Sequence, residues 1–328
     1  AHERYTLGRP YIETINISTY QNERYLLKAL ADKDITRIHG ISPEKVKELS
    51  LATSSVETTL LPRTFAIFFN PNKLNSLANK EVRQALQFGT DKQKILTDVL
   101  HGYGKALSEP YPFDENQTEH IYDPVKAKDL LIETKTLKDA SSTLDITLAT
   151  ANTDEMKKIA EIIKNDWALL GVNVTIAIYE VSDLNQTIIK DRDFQVLLFG
   201  AITETPSDLY AFWHSSQRTY PGLNISNYVS KKLDENLEIL RSSIDPLEQT
   251  SAYEAVRGEF KEEVPGIFLY APALMYINQD KVVSPLPLFG KENASRFLLI
   301  ETWYRYTDKI WPTTYYKPLS EALHNIIH

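Results

Sequence analysis

The chain has 328 residues, 42% of them hydrophobic, and a formal net charge of −8 at pH 7, so it can fold as two or three structural units around a sizeable core. The negative charge argues against a nucleic-acid partner, which needs a basic face, and the absence of cysteine excludes disulfides, thiolate metal sites and cysteine nucleophiles. No apolar run approaches the roughly 18 residues that span a bilayer, and the first residues lack a signal-peptide layout, so we expect either a cytosolic protein or a removed leader.

The N-terminal part of the sequence predicts a strand, two helices and then a buried strand. Residues 11–20 are rich in β-branched side chains, which favours a strand, and Asn22 is a typical cap for the helix that follows. Ser42 followed by Pro43 predicts the first turn of a short second helix. The mostly apolar residues 64–70, closed by an Asn-Pro pair, predict a buried strand.

Residues 79–106 predict two consecutive amphipathic helices, because their apolar residues recur with helical spacing. The apolar face of the first helix consists of Val82, Ala85 and Leu86, and that of the second consists of Ile95, Leu96, Val99 and Leu100. Gly102 and Gly104 are expected to end the second helix, since glycine is common just beyond a helix C-terminus.

The middle of the chain alternates strands with helices. Strands are predicted at residues 144–150, 172–181 and 194–201, with a long helix over 153–171 and a short one over 183–191. This alternation is typical of an α/β unit, in which helices cover a parallel or mixed sheet. Amphipathic helices over 229–243 and 246–263 and an apolar segment interrupted by Pro272 are expected to follow.

Catalytic and metal-binding patterns are weak in this sequence. His324 and His328 have a spacing that can place two imidazoles on one metal, but no third ligand is indicated nearby. Ser215 and Ser216 beside His214 suggest a nucleophile and a base, yet adjacent residues rarely face each other and no orienting acid is evident. We therefore expect no enzyme activity, no cofactor and no metal site.

One long block resembles a known protein family. Residues 79–113, NKEVRQALQFGTDKQKILTDVLHGYGKALSEPYPF, are similar to a block of the family 5 solute-binding proteins of ABC transporters, the oligopeptide- and dipeptide-binding group. The matching positions are Val82, Arg83, Ala85, Leu86, Asp91, Ile95, Gly102 and Gly104. Similar blocks occur at residues 8–38, 170–188, 199–238 and 295–304, so the resemblance extends over nearly the whole chain.

The resemblance implies an α/β fold with type II periplasmic-binding-protein-like lobes, in which helices flank mixed β-sheets. Members of the family carry an export signal and the first part of lobe I ahead of the segment with which this chain begins, so the chain resembles their C-terminal portion, truncated at the N-terminus. The family layout assigns residues 1–60 to lobe I, residues 61–297 to the second ligand-enclosing lobe and residues 298–328 to a return segment. The crossing segments would form the hinge on which such proteins close around a ligand.

The resemblance also implies a function. We expect the substrate-binding component of an ABC importer, which captures peptides or similar small solutes outside the membrane and presents them to a permease. The protein would be a monomer without a nucleic-acid partner, and it would be held at the membrane through a region N-terminal to this chain. The alternative is the solute-sensing domain of a regulator or signalling protein with the same fold.

The candidate ligand-binding residues follow the third predicted strand of the α/β unit. In the family's peptide binders an aspartate in this loop pairs with the terminal ammonium of the peptide, and the resemblance aligns that aspartate with Glu204. A carboxylate suits an ammonium in a partly dry cleft, because the hydrogen bond is charge-assisted. Thr203 and Ile202 precede Glu204 in the same loop and are expected to contact the ligand as well.

Further candidates lie downstream of this loop. Tyr210 and Trp213 are three residues apart on a predicted helix, so they share a face that is either an aromatic wall for the ligand or a packing surface on the sheet. His214 is expected to cap or line the end of that helix, and Asn224 to lie in a turn on the cleft side. Arg83 is more consistent with a structural ion-pair partner than with a ligand contact.

Overall fold

The computed structural model of the chain describes residues 5–6, 8–49, 56–118, 121–138, 142–280, 282–283 and 293–305. His324 and His328, the candidate metal ligands at the C-terminus, lie outside this range. The described residues form a large α/β unit and a smaller N-terminal unit, and strand pairing joins the two.

The smaller unit contains α1 (Glu23–Ala31), β1 (Arg37–His39), α2 (Pro43–Glu48) and β2 (Val56–Leu60). The predicted cap of α1 is confirmed, because the Asn22 side chain accepts a hydrogen bond from the Tyr25 backbone N–H at 3.2 Å. The strand predicted over residues 11–20 was wrong. These residues are irregular, since no described strand pairs with them and a β-rich composition alone supplies no ladder.

The larger unit supplies most of the helices and strands. Its strands are β3 (Arg63–Phe69), β4 (Gly104–Ala106), β5 (Leu144–Ala151), β6 (Val172–Tyr179), β7 (Val196–Ile202) and β8 (Gly266–Asn278). Its helices are α3 (Lys80–Phe88), α4 (Lys92–Asp98), α5 (Pro124–Glu133), α6 (Asp154–Ala168), α7 (Val181–Asp183), α8 (Leu209–Trp213), α9 (Lys231–Ser242) and α10 (Pro246–Glu263). Short helical turns cover Asn75–Ala78, Leu184–Ile189, Pro206–Asp208, Ser215–Gln217 and Asn293–Thr302, and a small ribbon pairs β9 (Val282–Val283) with β10 (Tyr304–Arg305).

The main sheet is mixed, with the strand order β1-β8-β3-β7-β5-β6. Strand β5 pairs in parallel with β6 and with β7, whereas β3 pairs antiparallel with β7 and with β8. The predicted alternation of strands and helices in the middle of the chain is thereby confirmed. Buried apolar faces of α4 and α6 pack on this sheet, whereas α3 packs mainly on α5. Val82, Ala85, Leu86 and Ile159 have no exposed surface.

Strand β8 belongs to both units. Its first half pairs with β3 and β4, and its second half pairs with β1 and β2. Met275 and Ile277 accordingly lie in the core of the smaller unit, with Leu30 and Ile38. We therefore propose that the chain crosses back at Pro272, ahead of the boundary after residue 297 that the family layout suggests.

Arg83 is a buried structural residue. Its guanidinium donates hydrogen bonds to the backbone carbonyls of Leu77, Ala78, Glu263 and Val264, at distances between 2.5 and 3.0 Å. These bonds tie α3 to the turn before it and to the C-terminal end of α10. The interpretation of Arg83 as a structural residue agrees with this geometry.

We predict that Arg83→Met lowers the free energy of unfolding by about 3 kcal/mol, because buried carbonyls lose their donors. Urea unfolding followed by circular dichroism measures the change. Arg24→Met, on the exposed surface of α1, is the control and should change stability by no more than about 0.5 kcal/mol. Equal stabilities of the two variants would contradict the structural role.

Lys92 is a second buried cation. Its side chain is 1% exposed, and Nζ donates a hydrogen bond to the Leu107 carbonyl at 2.8 Å. Burial lowers the pKa of Lys92 to about 7, although nearby Glu109 favours the charged form. Between about pH 7 and 10.5 the unfolded chain therefore binds more protons at this residue than the folded chain does.

Because of this difference, we predict that the Lys92 contribution makes stability rise with pH from about 7 to 10.5, by an amount of the order of a few kcal/mol. Lys92→Met should remove this part of the pH dependence. Urea unfolding at a series of pH values, compared with Lys47→Met on the exposed side of α2, isolates the effect of Lys92. The prediction would be refuted if the stability of wild type and the stability of Lys92→Met changed with pH by the same amount.

Candidate functional site

The strand order of the sheet reverses direction between β5 and β7. The chain runs from β5 through α6 to β6 on one side, and from β6 it returns to β7 on the other side of β5. In open α/β sheets, ligands bind outside the carboxyl ends of strands where the strand order reverses in this way. The candidate site therefore lies beyond Ala151 of β5 and Ile202 of β7.

The backbone N–H groups of the loop after β7 are occupied by hydrogen bonds within the protein. The Thr203 N–H donates to the Pro62 carbonyl at 3.0 Å. The N–H groups of Glu204 and Thr205 both donate to Oδ2 of Asp208, each at 2.8 Å. Since Pro206 has no N–H, residues 203–206 offer acceptors and side chains to the crevice but no free backbone donor.

The loop after β5 leads directly into α6. Thr153 caps this helix by accepting the Met156 N–H, and Asp154 and Glu155 occupy its first turn. Glu155 accepts a hydrogen bond of 2.5 Å from the buried hydroxyl of Tyr270. Burial and the neighbouring Glu155 raise the pKa of Tyr270 well above its ordinary value, so the phenol stays protonated and donates.

An aromatic pair lies beside this carboxylate. The rings of Phe65 and Tyr270 stack with centroids 4.8 Å apart. The Phe65 ring extends over Gly200 of β7, where a Cβ would come within 2.9 Å of it. Gly200 therefore permits the close approach of this ring to the β7 backbone.

A further segment borders the end of β7. The Thr64 hydroxyl, on the residue of β3 that pairs with Ala201, donates to the Pro110 carbonyl at 2.9 Å. Tyr111 follows Pro110 and is half-buried against Tyr253. Burial, and then the charges of Asp208 and Asp114, raise the pKa of Tyr111, so this phenol too remains protonated near neutrality.

The predicted site residues fall into two groups. Ile202, Thr203 and Glu204 lie together at the end of β7, with Ile202 54% exposed, Thr203 buried and Glu204 half-buried. Tyr210, Trp213, His214 and Asn224 lie on α8 and just beyond it, where they make contacts of their own.

Trp213 lies in the hydrophobic core. It is 3% exposed, and its ring contacts those of Phe68, Phe260 and Phe268 at centroid distances of 5.7, 5.0 and 5.8 Å. Of the two roles considered for Trp213, a wall for the ligand or a packing surface, this environment corresponds to packing. Tyr210, in contrast, is only partly buried on the same helix.

Tyr210 and His214 stack with ring centroids 4.2 Å apart, and the guanidinium of Arg241 lies 4.5 Å from the Tyr210 ring. His214 is buried, and its Nε2 lies 3.4 Å from a carboxylate oxygen of Glu238 and 3.9 Å from one of Asp234. The three stacked groups connect α8 to α9.

Asn224 is fully buried and ties the end of α8 to the next turn. Its side-chain amide donates to the carbonyls of Trp213, His214 and Tyr228 at 3.0 to 3.2 Å. The bonds to Trp213 and His214 satisfy carbonyls that the end of α8 leaves without an intrahelical partner.

The Ser-His pattern has a defined geometry. His214 Nδ1 lies 2.8 Å from the Ser216 hydroxyl and accepts the Ser216 N–H at 3.1 Å, while the Ser215 hydroxyl donates to Asp234. Asp234 and Glu238 are acids near His214 that the sequence did not reveal. However, the N–H groups of Ser215, Ser216 and Gln217 already donate to Asp234, His214 Nδ1 and the His214 carbonyl, so none of the three is free to stabilise an oxyanion.

Several residues of the crevice were missed from the sequence. Phe65 and Tyr270 were assigned only to apolar runs, and Glu155 only to a helix start. Gly200, a glycine inside an apolar strand, was the sequence feature that indicated a close approach of another group to the strand backbone. The pattern Thr205-Pro206-Ser207-Asp208 likewise resembles a helix-capping box and was the available signal for Asp208.

A second concavity, of about 690 Å³, lies on the smaller unit. It is lined by residues 12–20, by β1 and by Tyr276 and Trp303, and the ion pair of Arg37 with Asp280 (2.9 Å) borders it. None of the predicted site residues lines this groove. Over the part of the chain that the structure describes, no three histidine, aspartate or glutamate side chains are arranged to hold a metal ion.

Comparison with known proteins identifies the family. Residues 1–221 match a family profile described as "Bacterial extracellular solute-binding proteins, family 5 Middle". The chain belongs to this family. As a family 5 solute-binding protein, it is 27% identical over 295 residues to the oligopeptide-binding protein AppA of Bacillus subtilis, an alignment that covers 83% of this chain and 53% of AppA.

Two further relatives illustrate the range of the family. The dipeptide-binding protein of Escherichia coli is 25% identical over 232 residues, which cover 67% of this chain and 43% of that protein. The heme-binding protein A of Haemophilus influenzae is 27% identical over 208 residues, which cover 61% of this chain and 38% of that protein. The family 5 chain thus spans about half the length, or less, of these relatives.

The fold agrees with this assignment. The structure of AppA from Bacillus subtilis in complex with a nonapeptide superposes with a TM-score of 0.70 and 24% identity, covering 94% of this chain and 63% of AppA. The expected periplasmic-binding-protein-like α/β fold with mixed sheets is therefore confirmed. Within the residues that the structure covers, no helix is both long enough and apolar enough to span a bilayer.

Trp213→Ala is predicted to lower the free energy of unfolding by about 3 to 5 kcal/mol, because it leaves a cavity among three phenylalanines. Tyr210→Ala, on the same helix, should cost only about 1 kcal/mol, mainly from the lost contact with Arg241. Urea denaturation at 25 °C compares the two variants. A cost below about 1 kcal/mol for Trp213→Ala would exclude the packing role.

Proposed function

We propose that this family 5 protein binds a peptide, or a similar small solute with a free amine, in the crevice between β5 and β7. Glu204 would form the charge-assisted contact with the ammonium group. The observation that carries the proposal is the turn of residues 203–206, whose backbone N–H groups are already used within the protein.

The surroundings of Glu204 support a cationic group at this position. Asp154 and Glu155 occupy the first turn of α6, so the end of that helix, which otherwise attracts anions, already carries negative charge. Asp208 adds another carboxylate next to the loop. These carboxylates would favour an ammonium over a ligand carboxylate at this end of the crevice, although Arg63, which pairs with Ile202, brings one positive charge there.

The other predicted site residues take different parts in this proposal. Ile202 is exposed and would contact an apolar part of the ligand, and the partly buried Tyr210 would border the site. Thr203 would hold the loop to Pro62, while Trp213, His214 and Asn224 would support α8 from behind. Direct ligand contact is thus proposed for the more exposed members of the set.

We further propose that the crevice closes by movement between the two units. The chain passes between them at Leu61 and Pro62 and again within β8, and the Leu61 N–H donates to the Pro272 carbonyl at 2.9 Å. Because Thr203 also bonds to Pro62, the loop that carries Glu204 is attached at this crossing. Rotation about the crossing would therefore change the access to Glu204.

In the cell, the protein would capture its ligand outside the cytoplasmic membrane and deliver it to the permease of an ABC importer. It would act as a binding protein and not as an enzyme. The occupied N–H groups of Ser215, Ser216 and Gln217 favour this view, since they leave the Ser-His pair without an oxyanion site among these residues.

Glu204→Gln is predicted to weaken binding of a free-amine peptide by roughly tenfold or more, because one charge-assisted hydrogen bond contributes about 1.5 to 3 kcal/mol. The same substitution should hardly change the affinity for this peptide when its N-terminus is acetylated. Native mass spectrometry with a library of short peptides selects a test peptide, and isothermal titration calorimetry then measures its dissociation constant.

The control is Glu161→Gln, an exposed glutamate further along α6, which should leave binding unchanged. Equal affinities of wild type and Glu204→Gln for the free-amine peptide would rule out the proposed contact. Retention of a sugar or a metal chelate in place of peptides would rule out the peptide assignment.

A further inference from the structure

We propose that the link between α9 and α10 is a docking surface for the membrane-embedded permease that the proposed function includes. This surface, the apolar tip, consists of residues 243–248. The inference rests on the proposed function, because it names the part of the protein through which the loaded form would reach that permease.

The apolar tip exposes two large aliphatic side chains almost completely. Ile244 is 98% exposed and Leu247 is 80% exposed, and these are the two highest values for large hydrophobic side chains among the described residues. A single exposed apolar residue is ordinary on a protein surface and needs no explanation. Two of them within one short link bring apolar surface together at one point, which is typical of an interaction site.

Hydrogen bonds of the neighbouring polar groups hold the apolar tip in one conformation. The Ser243 hydroxyl donates to Oε2 of Glu248 at 2.7 Å and accepts the Asp245 N–H at 3.1 Å. Asp245 caps α10 by accepting the Leu247 N–H at 2.9 Å, and the Gln249 side chain donates to the Ser243 carbonyl at 2.7 Å. Since the link is already ordered, a partner that binds the two aliphatic side chains loses little conformational entropy.

The apolar tip lies at the same edge of the sheet as the candidate site. Helix α10 ends at Glu263, and β8 begins soon after, at Gly266, on the opposite edge. Earlier in the helix, the Tyr253 ring contacts that of Tyr111, in the segment that borders the end of β7. Leu247 lies six residues before Tyr253, so the tip extends about 9 Å beyond the level of this contact. A permease that receives the ligand at this edge would therefore meet the tip.

Charge and area decide which kind of partner fits. Asp245 and Glu248 are exposed at the tip and the chain has a net charge of −8, so an anionic lipid surface would repel it. Two aliphatic side chains bury only a small part of the roughly 1,200 Å² that a stable complex needs, which argues against a dimer with a second copy. A transient protein partner with an apolar depression rimmed by basic side chains satisfies both constraints.

The first test identifies the molecule that contacts the tip. Ile244→benzoylphenylalanine is introduced into the protein in its native cells, and photo-cross-linked products are identified by peptide mass spectrometry. We expect cross-links to the integral membrane subunit of an ABC importer. Cross-links to a second copy, to lipid or to any other partner, or no cross-link at all, would overturn the inference.

The control for this test is Val125→benzoylphenylalanine, which should give no cross-link to the importer. Val125 is 71% exposed on α5. It follows Asp123, whose N–H donates to the Phe88 carbonyl near the C-terminal end of α6, at the edge of the sheet away from the candidate site. Importer cross-links of equal yield from both positions would show that the tip has no special role.

The second test separates docking from ligand binding. Ile244→Ser/Leu247→Ser should lower the uptake rate of the test peptide by at least about fivefold in cells that carry the substituted gene. Calorimetry should give a dissociation constant within about twofold of wild type, since the tip contributes no ligand contact. The matched control, Val125→Ser/Leu169→Ser, removes two exposed aliphatic side chains at the far edge and should change neither quantity. Ile244→Leu/Leu247→Ile keeps the apolar surface and should retain uptake.

The charge of the tip has its own test. Glu248→Lys should lower the uptake rate, because it places a cation against the basic rim of the partner. Glu248→Gln keeps an acceptor for the Ser243 hydroxyl and should have a smaller effect. Glu161→Lys, on the exposed side of α6, is the control and should leave uptake unchanged. Unchanged or faster uptake in Glu248→Lys would contradict a basic partner.

The outcomes keep the two proposals apart. A wild type that binds no peptide, or that binds peptide without supporting its uptake, would overturn the proposed function. Wild-type uptake that Ile244→Ser/Leu247→Ser retains in full would overturn only the docking role of the apolar tip.

Discussion

Strand β8 is the constraint on which the rest of the structure depends. Backbone N–H and carbonyl groups in a protein interior need partners, and β8 satisfies them for β3 and β4 along one half and for β1 and β2 along the other. A shift in its register would therefore misalign both units at once. Pro272 lies where the partners change, and it also accepts the hydrogen bond that fixes the start of the Leu61–Pro62 link.

Local patterns were sufficient for the elements that bury one face in their own neighbourhood. The helical spacing of Val82, Ala85 and Leu86, and the alternation of strands and helices after residue 144, predicted α3 and the β5–β7 unit correctly, because these patterns report burial directly. They do not report pairing partners. Residues 11–20 have a strand-like composition, but no described strand pairs with them. The apolar segment around Pro272 forms one long strand, β8, whose pairing partners change from β3 and β4 to β1 and β2 along its length.

The candidate site shows the same division between local and long-range information. The resemblance suggested Glu204 as a ligand contact, and the topology places the end of β7 beside a reversal of strand order. The hydrogen bond from the Tyr270 hydroxyl to Glu155 joins residues that are 115 positions apart, and no sequence pattern encodes such a contact. Helical spacing predicted one shared face for Tyr210 and Trp213, but the structure assigns Trp213 to the core and leaves Tyr210 nearer to solvent.

The Phe65 ring lies over a strand residue that has no side chain, so the sizes of the residues at these two positions constrain each other. A methyl group on residue 200 would meet the ring at 2.9 Å, so a larger residue there requires a smaller one at position 65. Tyr270 would then lose its stacking partner next to Glu155. Among family members, residues 65, 200 and 270 should therefore vary as a group, and the shape of this end of the crevice should vary with them.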